Sequence, residues 1–187
     1  FQDQLLPKQR VIARQIFLRL TELGDETTSA DTRRRVSFEE LTTKPEDREQ
    51  IHEVLMTLAD ARLITTNQNF VEVAHEALIR EWPTLRNWII ENRESLRLHR
   101  HLTETAQEWE TLGRDPGGTY RGARLAQALQ WAEIHREDLN PLESDFLEAS
   151  RGLANQELAE REAQRQKALE AAQKLAEAER ARTNEQI

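Results

Sequence analysis

Apolar residues recur at helical spacing twice in the first third of the chain, so this part is predicted to form two amphipathic helices. From Lys8 to Leu23 the apolar intervals are three and four residues, and Gly24 ends the pattern. A second helix is predicted from Glu46 to Ala61. The side chains expected in the core are Ile12, Ile16, Leu20 and Leu23 of the first helix, and Ile51, Val54, Leu55, Met56 and Leu58 of the second.

A shorter pattern lies between these helices. Asp25 to Thr32 is small and polar, which predicts a loop. Arg33 to Val36 is a candidate strand, and Ser37 to Leu41 is a candidate short helix. Ser37 is the expected N-cap, with Glu40 three residues later as its capping-box partner.

Alternating apolar and polar residues follow the second long helix and predict a β hairpin. Leu63 to Thr66 and Phe70 to Ala74 flank the polar turn Asn67-Gln68-Asn69. Val71 and Val73 fall on one face of the second strand. Three helices followed by a hairpin is the element order of a winged helix.

The next third of the chain is helical in pattern and predicts a three-helix bundle. Pro83 starts a long helix that reaches about Leu112, and the loop from Gly113 to Gly118 ends it. A third pattern covers Ala123 to His135, and Asn140-Pro141 starts the last element. The expected core side chains are Leu85, Trp88, Ile89, Leu96, Leu102, Ala106 and Trp109, then Leu125, Ala128, Leu129, Trp131 and Ala132, and finally Leu142, Phe146, Leu147 and Leu153.

Composition changes after Gly152. From Leu153 to Ile187 the chain is dominated by Ala, Glu, Gln, Arg and Lys, which favour helix. The large apolar residues thin to Leu158, Leu169 and Leu175, and their spacing of eleven and then six residues does not hold a heptad. We expect a solvated helical connector, with weak self-association as the alternative.

These patterns together predict a mainly α fold with a small β-hairpin. The expected domains are a winged helix over residues 1–82, a helical bundle over 83–152, and an extended helical connector or weak coiled coil over 153–187.

Charge and composition narrow the function classes. The 187 residues carry a net charge of -8, and an acidic chain is a poor general binder of nucleic acid. No apolar run approaches the ~18 residues of a membrane span. Cysteine is absent, which removes disulfides and Cys-ligated metal and fits a cytoplasmic setting. The chain begins with Phe1 rather than Met, so we expect it to be a piece of a longer protein.

His75 lies where the second strand of the hairpin passes into a helical pattern. Backbone N–H groups at the start of a helix are unpaired, and a ring nitrogen there can reach an anion or a neighbouring domain. A single His at such a place is more often a cap or a packing residue.

The stretch from Val71 to Pro83, continuing through Ile89, resembles the end of the winged-helix domain in STAND ATPases. In that family a Met-His-Asp motif supplies a His that contacts the β-phosphate of ADP and holds the molecule closed. The matching positions here are Ala74-His75-Glu76, so His is kept while Ala replaces Met and Glu replaces Asp. The resemblance implies that His75 binds the ADP phosphate, in the full-length protein only.

Further blocks are similar to the helical segment that follows the winged helix in bacterial members, often ahead of WD40 repeats. The resemblance covers about residues 5 to 152. It implies a regulatory fragment whose partners are the ATPase core and a C-terminal sensor of the same protein, with ADP or ATP and Mg as cofactors of that parent. The blocks are Leu96-Arg97-Leu98-His99-Arg100, Glu108-Trp109, Gly113-Arg114-Asp115-Pro116, Tyr120-Arg121-Gly122-Ala123-Arg124-Leu125 and Leu139-Asn140-Pro141-Leu142-Glu143.

No catalytic or metal-binding residues are predicted, so we do not expect this chain to be an enzyme by itself. The only glycine-rich stretch, Gly113 to Gly118, is followed by Thr119-Tyr120 and lacks the Lys of a P-loop. His75-Glu76 opens like a zinc-protease helix, but Ile79 stands where the second His is required. His99 and His101 point to different helix faces.

Three arginines near the glycine-rich loop leave two readings open. Arg114, Arg121 and Arg124 can hold an anion or a partner's carboxylates, or they can pair with nearby acids such as Asp115 or Glu133.

A DNA-binding winged helix is the alternative function. Its second long helix would enter the major groove and should carry basic or amide side chains. The helix from Glu46 to Ala61 instead carries five acids against Arg48, and Arg33-Arg34-Arg35 is a thin basic patch. Nucleic acid and membrane are therefore not expected partners.

Overall fold

The computed structural model describes residues 5–24 and 30–185, and these form a mainly helical chain with two small antiparallel sheets. The predicted mainly α fold with a hairpin and a long C-terminal helix is confirmed. The helices are α1 (Pro7–Arg19), α2 (Phe38–Leu41), α3 (Arg48–Asp60), α4 (Glu76–Glu81), α5 (Pro83–Thr111), α6 (Gly122–Ile134) and α7 (Pro141–Glu185). The strands are β1 (Thr21–Glu22), β2 (Thr32–Arg33), β3 (Val36–Ser37), β4 (Ile64–Thr66) and β5 (Phe70–Val73). Single 3-10 turns cover Pro45–Asp47, Pro116–Gly118 and Arg136–Asp138.

Helix α1 begins at Pro7, whose missing N–H costs nothing in the first turn. It ends at Arg19, so the predicted extension to Leu23 is wrong. The reason is a pairing that helical periodicity does not report: β1 bonds antiparallel to β2, with Thr21 opposite Arg33. Of the predicted loop from Asp25 to Thr32, residues 25–29 lie outside the described residues.

The segment before α2 forms two short strands rather than one. Arg33 belongs to β2, whereas Val36 belongs to β3. The Oγ of Ser37 accepts a hydrogen bond of 3.2 Å from the N–H of Glu40, which confirms the N-cap. The other half of the predicted capping box is wrong, because the Glu40 carboxylate bonds to the guanidinium of Arg34.

The predicted hairpin is present and belongs to a three-stranded sheet in the order β3-β5-β4. Val71 of β5 lies opposite Val36 of β3, and Val73 lies opposite Ile64 of β4. Val71 and Val73 are buried as expected. Met56 of α3 is 48% exposed, so its predicted burial is wrong. It follows Leu55 by one position, about 100° around the helix from the buried face.

The described residues form two hydrophobic cores, and α5 contributes to both. The first half of α5 packs with α1, α3, α4 and the three-stranded sheet. The second half packs with α6 and the start of α7, as predicted for the bundle. Trp88 and Leu96 are only partly buried. The first core centres on Phe17, Leu20, Val54, Leu58, Val73, Leu85 and Ile89, and the second on Leu102, Ala106, Trp109, Leu125, Ala128, Trp131, Phe146 and Leu147.

Helix α7 runs without a break through Gly152. Its beginning is anchored by Phe146 and Leu147, which are buried, whereas every side chain from residue 158 to 178 is exposed. The division of the chain into three domains remains a prediction. Among the described residues, no helix is long and apolar enough to cross a membrane.

Candidate functional site

His75 is the N-cap residue of α4. It directly follows Ala74, whose backbone hydrogen bond continues the pairing of β5. Its backbone is extended, and its carbonyl accepts the N–H of Leu78 at 2.9 Å. The ring itself is exposed and makes no capping hydrogen bond. Within the described residues it has no hydrogen-bond partner. The structure thus puts His75 at the predicted junction with an exposed side chain.

The two neighbours of His75 serve local structure. The N–H of Ala74 donates to the carbonyl of Leu63 at 3.0 Å, which continues the hairpin ladder. The carboxylate of Glu76 lies 3.6 Å from Arg80, one turn along α4. The acid that follows His75 therefore pairs within its own helix.

A second cluster of polar side chains is buried between the two cores and is centred on Arg19. Arg19 is the last residue of α1, and its guanidinium donates to both carboxylate oxygens of Glu143, at 3.2 and 3.1 Å. Nη2 also donates to the backbone oxygen of Asp138 at 2.5 Å. On the other side, Nη1 lies 3.6 Å from the carboxylate of Glu40. One cation therefore joins α1 to α2 and to α7. Arg19, Glu40, His99, Thr103, Asn140 and Glu143 are called the inter-core network below.

Glu143 is held by the start of its own helix. Asn140 and Glu143 form a reciprocal capping box: the N–H of each donates to the side chain of the other, both at 2.9 Å. The hydroxyl of Thr103 donates to Glu143 at 2.6 Å. Burial disfavours the charge, but the Arg19 guanidinium and the bond from His99 hold the pKa of Glu143 far below its usual range. Glu143 is therefore a buried carboxylate that stays ionised.

His99 completes the network from α5. Its Nε2 is 3.2 Å from Glu143 and 3.0 Å from Nη2 of Arg19. The ring packs on Trp131 with centroids 4.5 Å apart. Burial, together with the charge of Arg19, lowers the pKa of His99. At neutral pH the ring is uncharged.

Further ion pairs and hydrogen bonds extend the inter-core network along α5. Glu40 accepts two bonds from Arg34, at 2.6 and 3.2 Å, and one from Gln107 at 3.2 Å. Arg100 donates to Glu22 and to the backbone oxygen of Thr21, both at 2.8 Å. The end of α1, the short strand after it and α2 are thus all fastened to α5.

The three arginines near the glycine-rich loop serve three different contacts. Arg114 pairs with Glu110 at 2.6 Å and with Asp145 at 3.2 Å. Arg121 pairs with Glu157 at 3.3 Å. Arg124 lies over the ring of Tyr120. Pairing with acids was one of the two readings, but neither Asp115 nor Glu133 is the partner.

Metal coordination has no support in the part of the chain that the structure describes. No group of three or more His, Cys, Asp or Glu residues there is placed to hold an ion. Ile79, at the position where a zinc-protease helix needs its second His, is buried in the first core.

The inter-core network was not predicted from the sequence, although two signals for it exist. Asn140-Pro141-Leu142-Glu143 has Asn, Pro and Glu at the N-cap, N1 and N3 positions of a helix. His99 falls on the apolar stripe of α5, between Leu96 and Leu102. A titratable residue on a buried stripe indicates a buried partner.

The fold and this network define a mainly α protein in which a buried charge cluster fastens one hydrophobic core to another. Residues 1–117 match the family described as Novel STAND NTPase 1. Because this match covers more than half of the 187 residues, the chain belongs to the nSTAND1 family. No curated protein matches the chain. No solved structure matches it either.

Proposed function

We propose that this chain is a regulatory segment of a STAND-type signal-transducing ATPase. In this proposal the first core is a winged helix that helps hold the nucleotide-dependent closed state. The helical bundle relays that state to a C-terminal sensor. The observation that carries the proposal is the inter-core network, in which Arg19 is bonded to Glu143 and lies 3.6 Å from Glu40.

The inter-core network is suited to a relay because it allows few relative positions of the helices that it joins. Arg19, Glu40 and Glu143 are nearly or fully buried, so separating them would leave uncompensated charges out of water. Helix α5 is shared by both cores, which makes it a rigid link between them. A displacement of the first core is therefore transmitted to the start of α7 rather than absorbed between the cores.

His75 is the residue that we assign to nucleotide sensing. Its ring is exposed and unbonded within the described chain, so it can meet a neighbouring domain without first breaking a contact. In the parent protein, the ATPase core would hold ADP or ATP with Mg. A ring N–H of His75 would then donate to the ADP phosphate, and such a charge-assisted bond contributes about 1.5–3 kcal/mol.

The substitution His75→Ala in the full-length protein tests this role. We expect ADP retention to weaken by about one to two orders of magnitude, because the closed state loses that bond. Basal signalling should rise. His52→Ala, at an exposed histidine of α3, is the matched control and should leave both quantities unchanged. The sensor role is wrong if His75→Ala lowers the melting temperature of this chain while ADP affinity stays unchanged.

A second arm of the same experiment tests the relay. Thr103→Val keeps the shape of the side chain but removes its hydrogen bond to Glu143. We expect basal signalling to change while ADP affinity is retained, because the substitution does not touch the proposed nucleotide contact of His75. Thr111→Val, on the exposed end of α5, is the control. Equal signalling by the two valine variants would contradict a relay through the network.

DNA binding is the weaker alternative. Two of the three arginines of the basic patch are already engaged, since Arg34 pairs with Glu40 at 2.6 Å and Arg35 with Glu72 at 2.9 Å. Helix α3 presents Glu49 and Glu53 to solvent, where a DNA reader needs cations.

The remaining context rests on the family resemblance. We place the parent protein in the bacterial cytoplasm, with WD40 repeats as the sensor. The exposed half of α7 then serves as the connector toward that sensor. Self-association through residues 153–187 is its alternative use.

A further inference from the structure

A cleft of about 320 Å³ lies between the two cores, beside the inter-core network. One wall is α1, another is the segment from α2 to α3, and the third is α5 with residues 131–138. His99 lies on its lining from α5. The volume falls at the lower end of the range for small-molecule sites.

Apolar side chains on two walls of the cleft remain open to solvent. Val11 of α1 is 55% exposed, and Ile12 beside it is partly buried. Leu96 lines the opposite wall and is also only partly buried. Apolar surface in a concave place binds an apolar molecule more readily than the same surface on a convex face, because more of the ligand leaves water.

His99 supplies a polar group with an unused hydrogen-bonding position. Its side chain is 11% exposed, and its Nε2 lies 3.0 Å from Nη2 of Arg19 and 3.2 Å from the carboxylate of Glu143. Nδ1 has no hydrogen-bond partner among residues 5–24 and 30–185. It is also absent from the unpaired side-chain atoms of this part of the chain that are fully buried, so solvent can reach it. A nearly buried ring that lines the cleft therefore has one accessible, unpaired nitrogen.

The network decides whether this nitrogen donates or accepts. Nη2 of Arg19 carries two hydrogens, and the backbone oxygen of Asp138 and the carboxylate of Glu143 take them. Nε2 of His99 then satisfies Glu143 best by carrying the proton and donating it. In the neutral ring, Nδ1 is the acceptor.

We propose that this cleft binds a small, mainly apolar molecule carrying one uncharged hydrogen-bond donor, a hydroxyl or an N–H. The donor bonds to Nδ1 of His99, and the apolar body lies against Val11, Ile12 and Leu96. A cationic amine is disfavoured because the Arg19 guanidinium touches the same ring. Binding in the cleft does not depend on the proposed function.

The test compares two probes of the same shape. 2-Phenylethanol carries the hydroxyl, and propylbenzene has a methyl group in its place. In a titration of the ¹⁵N-histidine-labelled chain followed by NMR, we expect saturable binding of 2-phenylethanol and a shift of the His99 Nδ1 signal. Propylbenzene should bind about five- to tenfold more weakly, because it cannot make the bond to Nδ1.

A cleft-filling variant identifies the place of binding. Val11→Trp puts an indole into the cleft from an exposed position, and it should weaken 2-phenylethanol binding at least about tenfold without moving the His99 signals of the unliganded chain. Ile90→Trp is the matched control, since Ile90 is 64% exposed and does not line the cleft. The proposal is overturned if neither probe binds, if both bind equally, or if Val11→Trp leaves binding intact.

Discussion

Glu143 is the residue on which the inter-core network depends. It is fully buried and accepts hydrogen bonds from Arg19, Thr103 and Asn140. In Glu143→Gln an amide replaces the carboxylate, which leaves Arg19 buried with its closest counter-charge removed. We expect the free energy of unfolding to fall by about 3–5 kcal/mol, the usual loss when one partner of a buried ion pair is removed. Urea denaturation at pH 7.5 measures it.

The matched control is Glu148→Gln, at an exposed position of the same helix. It should change the free energy of unfolding by no more than about 0.5 kcal/mol. Equal losses in the two variants would mean that the charge of Glu143 contributes nothing to folding.

His99 and Glu143 also predict how stability depends on pH. The folded state lowers the pKa of both groups, so in each case the unfolded chain takes up the proton more readily. The contribution of His99 is complete above its ordinary pKa of about 6.5 and is lost as the pH falls below that value. That of Glu143 is complete above about 4.3 and is lost below it. The free energy of unfolding should be level from pH 7 to 8 and decline in two windows.

Urea denaturation from pH 8 down to about pH 2.5 covers both windows, and His99→Gln removes the upper one. His52→Gln, at an exposed histidine of α3, is the matched control. A rise in stability on acidification from pH 7 to pH 5.5 would instead show that His99 gains its proton in the folded state.

Among the helices and strands, those bounded by a Pro or a Gly were predictable from the sequence. Pro83 starts α5, and Gly113 follows its end with a φ of +72°, a conformation that costs glycine little. The position of His75 was also predictable, because the alternating apolar and polar residues of β5 give way there to the apolar spacing of a helix. The end of α1 was not predictable, because the pairing that stops it involves Thr32 and Arg33, across a loop.

The inter-core network could not be predicted from the sequence, for a different reason. Arg19 and Glu143 are 124 residues apart in sequence, and neither charge carries a periodic signal of its own. The role of Arg19 follows from how α1, α2, α5 and α7 pack, which no single helix pattern determines.

Helix α7 is predicted to be unequally protected along its length. Its first part is anchored in the second core, whereas residues 158–178 are exposed and bury too little apolar surface to resist local opening. Limited trypsin digestion followed by mass spectrometry should trim the chain back toward Gly152 and leave the two cores intact. A fragment protected through Arg180, with a mass above that of one chain in solution, would favour self-association.

At the scale of the whole molecule, net charge decides between the two function classes. The charge of -8 and the pairing of Arg34 and Arg35 leave little to neutralise phosphates. We expect no measurable binding to duplex DNA by fluorescence anisotropy at low salt, the condition that most favours phosphate contacts. Micromolar binding that weakens as salt is added would reverse this conclusion.

The four tryptophans are divided evenly between the two cores, which gives the molecule a built-in optical readout. Trp82 and Trp88 pack against the first core, and Trp109 and Trp131 lie in the second. Replacing either pair by phenylalanine leaves emission that reports on one core alone. Because the two pairs lie in different cores, their separate emission should reveal whether the two cores unfold together or one after the other.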